Sequence, residues 1–340
     1  MLQPTSLGNN FTVPAAWPTP LVVKVVDDCG GPHLQGSVIS TFSNGNPPLA
    51  LLPLGDGRWA GTWVASAKSQ STVTINAVAE NPALKIRGTF QLFGGLSGNA
   101  NPPTVPAGSV LSSSSYQVQG PLAPGAFVSI FGGLLASGTA QAPTLPLESR
   151  LAGTQVLVAG RLAPLLFSSS GQVNAILPFG TPINTPVQVI VSRDDQYSVP
   201  IEISVAPAAP GIFSTAGDGR GQGHIYVASA GSLKLADTAA PAHAGETLVM
   251  YCTGLGALDS TVADGSSAPL DRILQTTNPV TVTLGGLSVP AAFAGLSPGF
   301  AVGLYQVNVV VPSGLTPGDQ VPVAVSVAGQ SSPAVTMAVR

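Results

Sequence analysis

Two heptads of nearly the same sequence stand 134 positions apart in the chain, QVNAILP at 172–178 and QVNVVVP at 306–312. In both, apolar residues alternate with other residues, and a proline ends the run. Alternation with period two is typical of a β-strand that buries one face. The pattern therefore predicts one strand that occurs twice.

The match continues from this strand to the C-terminus without a gap. The aligned valines are Val187 with Val321, Val189 with Val323, and Val191 with Val325. A turn at Asp194-Asp195 in the first copy, and at Ala328-Gly329 in the second, separates this run from a further alternating run. Two alternating runs joined by a short turn predict a β-hairpin in each copy.

Upstream of the heptads the offset falls to 126, where Phe167 aligns with Phe293, so eight extra residues lie between Phe293 and Gln306. We expect a loop there, since loops accept insertions more readily than strands. Earlier still, APGAFVSIFGGLLA (123–136) is similar to HAGETLVMYCTGLGA (243–257). These matches predict two copies of one β-module, at 108–207 and 211–340, joined by the proline-rich APAAPGIF (206–213).

The first hundred residues have a different pattern and predict a separate module at 1–97. The segment 21–42 reads as a strand, a polar turn and a second alternating strand, and further strands follow at 56–65 and 71–80. We interpret GGLSGNANPPTVPAG (94–108) as the linker to the next module.

Composition supports an all-β fold. The 340 residues include 40 Gly and 32 Pro, which interrupt the short apolar runs throughout. Proline is excluded from helix interiors and central strands. An all-β protein with many turns, in contrast, uses both glycine and proline in the turns between its strands. The sequence thus predicts many short strands.

Charged residues make up only 8% of the chain, and the mean hydropathy is +0.39. In ordinary soluble domains, roughly 25% of the residues are charged. The apolar runs end well short of the roughly 18 residues of a membrane-spanning helix, so we expect no membrane span. Nucleic-acid binding is disfavoured, because the 12 Lys and Arg form no basic stripe. A net charge of −3 gives little protection against association, and edge strands are the predicted surfaces for self-association.

The N-terminus MLQPTSLGNNFTVP has neither a positive segment nor an apolar segment of a signal peptide. The composition is nevertheless that of a secreted protein. We therefore expect the chain to be a mature fragment of a longer exported protein, located outside the cell or at its surface.

Several motifs carry a family resemblance. APGAFVSIFG, APLLFSSSGQVNAILP, YCTGLGAL and the segment 294–332 resemble the uncharacterised C-terminal region of large secreted proteins of soil acidobacteria, the Solibacter-type domain. The strand order resembles the TIG (IPT) branch of immunoglobulin-like domains. The resemblance covers about 108–340 and implies export and tandem β-sandwiches, but no activity and no functional residues.

The first module, over about 15–95, is similar to bacterial Ig-like and invasin-type adhesin repeats. The two resemblances together imply an all-β chain of tandem immunoglobulin-like β-sandwich domains.

The sequence gives little support for catalysis or a cofactor. His33, His224 and His243 lie in separate Gly/Pro/Ala-rich stretches, and no G-x-S-x-G motif or zinc-ligand spacing occurs. GDGRGQGH (217–224) superficially resembles a phosphate-binding loop, but no Walker lysine follows and the next segment reads as a strand. We interpret it as an inter-strand loop, and we expect no enzyme activity.

Paired carboxylates at Asp27-Asp28 and Asp194-Asp195 are the candidate metal ligands. Calcium needs six to eight oxygen ligands, which a domain junction could complete around Asp27 and Asp28. A solvated turn is the alternative interpretation.

Trp59 and Trp63 share a strand face, with Gly61 between them, and could form a stacking platform for a sugar. The alternative is core packing, since a small sandwich needs a large aromatic side chain against its opposite sheet.

The repeated heptads also share a polar pair, Gln172 and Asn174 in one copy and Gln306 and Asn308 in the other. One interpretation is a ligand-binding pair. The other is that these side chains hydrogen-bond to neighbouring backbone.

Cys252 aligns with Gly132 of the first copy and is therefore not part of a disulfide built into the module. We expect Cys29 and Cys252 to be buried free thiols.

The function that the sequence favours is a non-enzymatic extracellular structural or adhesive array, able to assemble into a surface filament or layer. The alternative is a carbohydrate-binding or accessory region of a larger secreted hydrolase, with a polysaccharide as partner.

Overall fold

The structure is a computed structural model that describes residues 1–65, 70–229 and 231–340. The described residues form β-strands and turns, and among them no helix is long and apolar enough to cross a membrane. The chain divides into two compact units. The first comprises Met1–Pro102 with Asp195–Val199, and the second Pro103–Asp194 with Pro200–Arg340.

The main sheet of the first unit has eight strands. They are β1 (Leu2–Pro4), β2 (Phe11–Pro14), β3 (Pro18–Val25), β4 (Ser37–Phe42), β5 (Leu49–Pro53), β6 (Arg58–Val64), β7 (Ser71–Asn81) and β8 (Ile86–Ser97). Strands predicted in 21–42, 56–65 and 71–80 are therefore confirmed.

These strands run in the order β1-β3-β6-β5-β4-β7-β8-β2. All described pairs are antiparallel except β2 with β8, which is parallel. β5 pairs with both β4 and β6, so the sheet folds over on itself. Side chains from its two halves, such as Trp59 and Ile75, lie in one core. The period-two pattern thus builds a sandwich.

The predicted linker at 94–108 begins too early, because β8 continues to Ser97. Gly94 and Gly95 do not break the strand. The ring of Phe11 lies against Gly94, where a Cβ atom would come within 2.4 Å of it. A glycine inside a strand is typical of such a close approach, so this one makes room for a neighbouring side chain.

Two further sandwiches follow in sequence, here called copy 1 and copy 2, and they lie in the second unit except for Asp195–Val199 of copy 1. The strands of copy 1 are β9 (Val110–Ser112), β10 (Phe127–Phe131), β11 (Ala140–Gln141), β12 (Thr154–Val158), β13 (Arg161–Leu162), β14 (Leu165–Ser168), β15 (Gln172–Ile176), β16 (Pro186–Arg193), β17 (Gln196–Tyr197) and β18 (Ile201–Ser204). One sheet has the order β11-β14-β15-β10-β9, and the other β13-β12-β16-β17, with β18 also paired to β16.

The strands of copy 2 are β19 (Gly211–Ile212), β20 (Ile225–Ser229), β21 (Ser232–Leu235), β22 (Thr247–Thr253), β23 (Val280–Leu284), β24 (Leu287–Pro290), β25 (Phe293–Leu296), β26 (Tyr305–Val310), β27 (Gly318–Val327), β28 (Gln330–Ser331) and β29 (Val335–Val339). Its sheets have the orders β21-β20-β22-β26-β25 and β24-β23-β27-β28, with β29 also paired to β27.

Both copies have the strand order of an immunoglobulin-like sandwich. An immunoglobulin-like sandwich has strands A, B, E and D in one sheet and C, F and G in the other. In copy 1 the first sheet contains β9 (A), β10 (B), β14 (D) and β15 (E), and the second contains β12 (C), β16 (F) and β18 (G). In copy 2, β22, β25 and β26 occupy the same sheet positions as β10, β14 and β15, opposite a second sheet of β23, β27 and β29. The fold is therefore all-β, with tandem immunoglobulin-like sandwiches.

The predicted hairpin is confirmed in both copies, between β16 and β17 and between β27 and β28. The two turn residues have positive φ in each case: 45° and 62° at Asp194 and Asp195, and 49° and 75° at Ala328 and Gly329. Positive φ at both central positions is the type I′ turn that matches the twist of adjacent strands.

The segment 206–213 is part of copy 2 rather than a free joint. Ala208 and Ile212 are buried in its core, and Gly211 and Ile212 form β19 against β22. The N–H of Ala209 also donates to the Gly254 carbonyl at 2.8 Å. The proline-rich composition predicted a linker, but its apolar residues are used for packing.

Tyr305 is the largest fully buried side chain of the described residues. Its hydroxyl donates to the carbonyl oxygen of Gly256 at 2.6 Å, and burial raises the pKa of the phenol. The ring thus fills the core of copy 2 while its polar end satisfies a loop carbonyl.

We expect Tyr305→Phe to lower the free energy of unfolding of the second unit by about 1–3 kcal/mol, because it leaves a carbonyl in this buried setting without its donor. Tyr116→Phe is the matched control, since Tyr116 is half-buried and its hydroxyl has no hydrogen bond to a described residue. Urea unfolding measures both changes, and equal stabilities for the two variants would contradict the role of the bond.

Candidate functional site

The predicted acidic pair lies in the turn after β3. Asp27 Oδ1 accepts the backbone N–H groups of Cys29 at 2.9 Å and Gly31 at 2.8 Å, which closes the turn, and Asp28 is exposed. Across 1–65, 70–229 and 231–340, no three or more His, Cys, Asp or Glu side chains are grouped to hold a metal ion. The geometry is that of the solvated turn.

The two predicted platform tryptophans are buried, with 4% of Trp59 and 3% of Trp63 exposed. Trp63 stacks on Phe42, with ring centroids 4.8 Å apart, and its Nε1 donates to Asn46 Oδ1 at 3.2 Å. This placement contradicts an exposed sugar platform at Trp59 and Trp63 and agrees with the core alternative. The strand face that they share points into the sandwich.

A cavity of about 470 Å³ opens in the first unit, beside the end of β3 and the β7–β8 hairpin. It brings together three of the predicted site residues, Asp27, Asp28 and Trp59, with Glu80 and Arg87. Glu80 and Arg87 form an ion pair at 3.0 Å. Among the described residues that line the cavity, Trp59 has a buried Nε1 without an acceptor, and this atom is sealed from solvent.

Both cysteines are free, as predicted, but only Cys252 is buried. Burial raises the pKa of the Cys252 thiol, which disfavours the reactive thiolate. Cys29 is exposed because it lies in the turn that Asp27 closes. The prediction of burial was therefore wrong for Cys29.

The three histidines lie in different settings. An imidazole nitrogen of His33 is 3.2 Å from the amide of Asn81, that of His224 is 2.8 Å from the hydroxyl of Tyr226, and that of His243 is 3.5 Å from Glu246. None of these three contacts joins a histidine to a serine or cysteine nucleophile.

The segment 217–224 is an inter-strand loop, as predicted, and β20 follows it directly. Ser214 Oγ accepts the N–H groups of Asp218 at 3.2 Å and Gly219 at 2.9 Å. A Cβ at Gly219 would lie 2.6 Å from the carbonyl oxygen of Ser114. Gly219 therefore allows the loop to pack closely onto copy 1.

The repeated polar pairs have the same geometry in both copies. Gln172 Nε2 donates to Asn174 Oδ1 at 2.8 Å, and Gln306 Nε2 donates to Asn308 Oδ1 at 2.9 Å. The side chains thus bond to each other, which contradicts the predicted bonding to neighbouring backbone. All four lie half-buried on the outward face of their sheet, since Val173 and Val307 between them point into the core.

Aromatic side chains flank each pair. Phe131 lies opposite Gln172 and Phe167 opposite Asn174, in the strand register of copy 1. In copy 2, Tyr251 lies opposite Gln306 and Phe293 opposite Asn308. Sequence reasoning had aligned these aromatic positions but had assigned them no role, because only the strand register places them beside the amides.

Copies 1 and 2 meet at a closely packed joint. A Cβ at Gly303 would lie 2.3 Å from the carbonyl oxygen of Gly125 and 3.0 Å from the ring of Phe127. The hydroxyl of Thr253 accepts the N–H of Phe127 at 3.0 Å and donates to the Gly303 carbonyl at 2.8 Å. Backbone therefore approaches backbone, and only glycine fits at 303.

Four further contacts surround this approach. The rings of Phe127 and Phe213 pack 6.1 Å apart, and Phe179 of copy 1 packs against the core of copy 2. The N–H of Phe179 donates to Asp264 Oδ1 at 2.8 Å, and that of Leu147 donates to the Gly265 carbonyl at 2.8 Å. These contacts join the copies on several sides.

Gly303 lies in the eight-residue loop between β25 and β26, where the sequence repeat had predicted an insertion. The equivalent loop of copy 1 has three residues, between β14 and β15. The extra length of copy 2 is thus used at the joint. The change of offset in the repeat was the only sequence signal for it.

No protein-family model and no curated protein matches the chain. Among solved structures, it is similar to SGBP-B of the Bacteroides ovatus mixed-linkage glucan utilization locus, solved in complex with a mixed-linkage heptasaccharide. The identity is 12% over 98% of this chain and 67% of that chain, with a TM-score of 0.30.

It is also similar to invasin, a bacterial integrin-binding protein, at 12% identity over 99% of this chain and 60% of that one, with a TM-score of 0.23. Tandem Ig repeats of Dlar match at 11% identity over 60% and 97% of the two chains, with a TM-score of 0.25. Similarities this distant carry no information on ligand or activity.

We expect Asp27→Ala to lower the melting temperature of the first unit by a few degrees, since two turn N–H groups lose their acceptor. Asp28→Ala, which removes a carboxylate without such bonds, should leave it unchanged. Adding calcium or EDTA to the unaltered protein should shift neither transition. A calcium-dependent rise that Asp27→Ala abolishes would contradict the solvated turn.

Proposed function

We propose that the chain is a non-catalytic, extracellular structural and adhesive array, in which the second unit serves as a stiff spacer. The observation that carries the proposal is the joint between copies 1 and 2. A spacer must hold its modules at fixed positions, and a joint closed by backbone approach and several side-chain contacts resists bending more than a flexible linker does.

The extracellular part of the proposal is supported by composition. Only 8% of the residues of the chain are charged, so its surface must be built largely from uncharged residues such as Ser, Thr, Gly, Ala, Asn and Gln. The resemblance of 108–340 to secreted acidobacterial proteins points the same way. A role as an accessory region beside a catalytic part of a larger secreted hydrolase is compatible with the same joint.

Self-assembly is the finer form of this proposal. The outer strands β9, β11, β13, β21, β24 and β25 have two to four residues and β29 has five, so strand addition along them would gain few hydrogen bonds. An apolar patch at Leu270 and Phe300 is the better candidate surface. These side chains are 84% and 53% exposed, and their segments are joined by the bond from Ala268 N–H to the Phe300 carbonyl.

To test the joint, we compare Gly303→Ala with Gly286→Ala. Both glycines have positive φ, +103° and +91°, so both variants carry a backbone strain of about 1–3 kcal/mol. Only the added Cβ at position 303 would clash, 2.3 Å from the Gly125 carbonyl oxygen, because a Cβ at Gly286 would meet nothing within 4 Å. We expect Gly303→Ala alone to separate the unfolding of copies 1 and 2 into two steps.

Small-angle scattering and urea unfolding of the whole chain measure this difference. The radius of gyration should rise for Gly303→Ala and stay unchanged for Gly286→Ala. If both variants behave alike, the joint does not hold the copies together, and the stiff-spacer proposal is wrong.

For self-assembly, size-exclusion chromatography with light scattering should show species larger than the 33.9 kDa chain, with regular fibres in negative-stain images. Leu270→Lys should shift these species to monomer, because it places a charge in the apolar patch. Val118→Lys, at a 70% exposed position of copy 1, is the control and should leave the larger species unchanged. A monomer at all concentrations for the unaltered protein would end the self-assembly proposal.

A further inference from the structure

The strongest unassigned feature of the molecule is a surface that occurs twice, here called the amide–aromatic face. In copy 1 it consists of Tyr116, Phe131, Phe167, Gln172 and Asn174, and in copy 2 of Tyr226, Tyr251, Phe293, Gln306 and Asn308. All ten residues are half-buried.

The third ring of each face packs beside the aromatic residue that lies next to the glutamine. The ring centroids of Tyr116 and Phe131 are 6.4 Å apart, and those of Tyr226 and Tyr251 are 5.8 Å apart. The two tyrosines come from different places in their modules. Tyr116 follows the turn after β9 in copy 1, whereas Tyr226 lies in β20 of copy 2. The two copies thus reach the same surface through different local structure.

Each amide pair keeps unused hydrogen-bonding capacity. The bond from glutamine Nε2 to asparagine Oδ1 leaves glutamine Oε1 as an acceptor and asparagine Nδ2 as a donor. In both copies these atoms have no partner among the described residues, and neither is sealed from solvent. The mutual bond restrains both side chains, so each strand face presents a free acceptor and a free donor on two neighbouring amides.

We infer that the two amide–aromatic faces are binding sites for a neutral polysaccharide. A pair of neighbouring sugar hydroxyls donates and accepts, which matches a free acceptor and a free donor on two neighbouring amides of one strand face. The apolar C–H face of a sugar ring packs on an aromatic ring, and each amide pair has aromatic side chains beside it. The inference deepens the adhesive part of the proposed function and rests on it.

The chemistry of the face selects among ligands. None of its residues is charged, so it offers no attraction to an acidic polymer. A polypeptide that binds by strand addition needs a free sheet edge, whereas β15 and β26 are flanked by paired strands on both sides. A neutral saccharide needs neither charge nor edge.

Two equivalent faces in one unit also favour a polymer over a short oligosaccharide. When one repeat of a chain is bound, the next repeats are present at high local concentration near the second face. We expect the affinity for the polymer to exceed that for its short fragments by roughly tenfold or more.

The test is affinity electrophoresis of the full chain in gels containing xyloglucan, mixed-linkage β-glucan, galactomannan or amylose. The unaltered protein should be retarded by at least one of them. Asn174→Ala with Asn308→Ala should abolish the retardation, and each single variant should keep a weaker one. Asn174→Asp with Asn308→Asp, which preserves side-chain size but removes the donors, should also abolish it.

The matched control is Gln155→Ala with Thr281→Ala. These residues occupy equivalent half-buried positions on the opposite sheets, on β12 and β23. The control should be retarded like the unaltered protein. Melting curves of all variants establish that the proteins in the gel are folded.

Absence of retardation in all four gels, or equal retardation of the double Asn→Asp variant and the unaltered protein, overturns the inference. Retardation only by polygalacturonate, an acidic polymer, or binding only to immobilised gelatin, a polypeptide, overturns it as well. The joint is measured separately by scattering, so a stiff array without glycan binding would refute this inference and leave the spacer proposal standing.

Discussion

One backbone approach determines how the second unit is built. Gly303 lies so close to the Gly125 carbonyl that a Cβ at 303 would be 2.3 Å from the oxygen. Side-chain contacts across a joint can adjust, since side chains have alternative rotamers, but an approach of backbone to backbone is fixed by the position of both modules. The Thr253 hydroxyl, which bonds to both sides of this approach, and the rings of Phe127 and Phe213 depend on it.

The joint also explains how a repeat with almost no charge gains a defined arrangement. Each sandwich buries its alternating valines and leucines in its own core, and these cores do not determine how the two copies are positioned relative to each other. What distinguishes copy 2 from copy 1 is the longer loop between β25 and β26, which carries Gly303. The lengthened loop thus contributes the closest backbone approach of the joint, while one sheet of each copy has the same amide pair flanked by aromatic residues at equivalent strand positions.

Much of the fold could be predicted from the sequence, because period-two alternation of apolar residues determines which face of a strand is buried. The aligned valines of β16 and β27, and the hairpin turns after them, lie where the repeat placed them. Prediction failed where glycine and proline serve packing. Gly94 continues a strand against Phe11, and 206–213 enters a core, although both segments read as linkers.

Less of the candidate site than of the fold could be predicted from the sequence. Trp59 and Trp63 share a face, but the sequence does not say which face is inward, and only the strand register brings Phe167 and Phe293 beside their asparagines.

The most direct test of this account is the measurement of residual dipolar couplings for backbone amides of the full chain in solution. The couplings of residues 108–207 and those of residues 211–340 report the orientation of each copy independently. If the joint is rigid, both sets fit one alignment tensor with the relative orientation of the structure. Two different tensors, or a clearly smaller magnitude of alignment for one copy, would show that the copies move independently and would contradict the account.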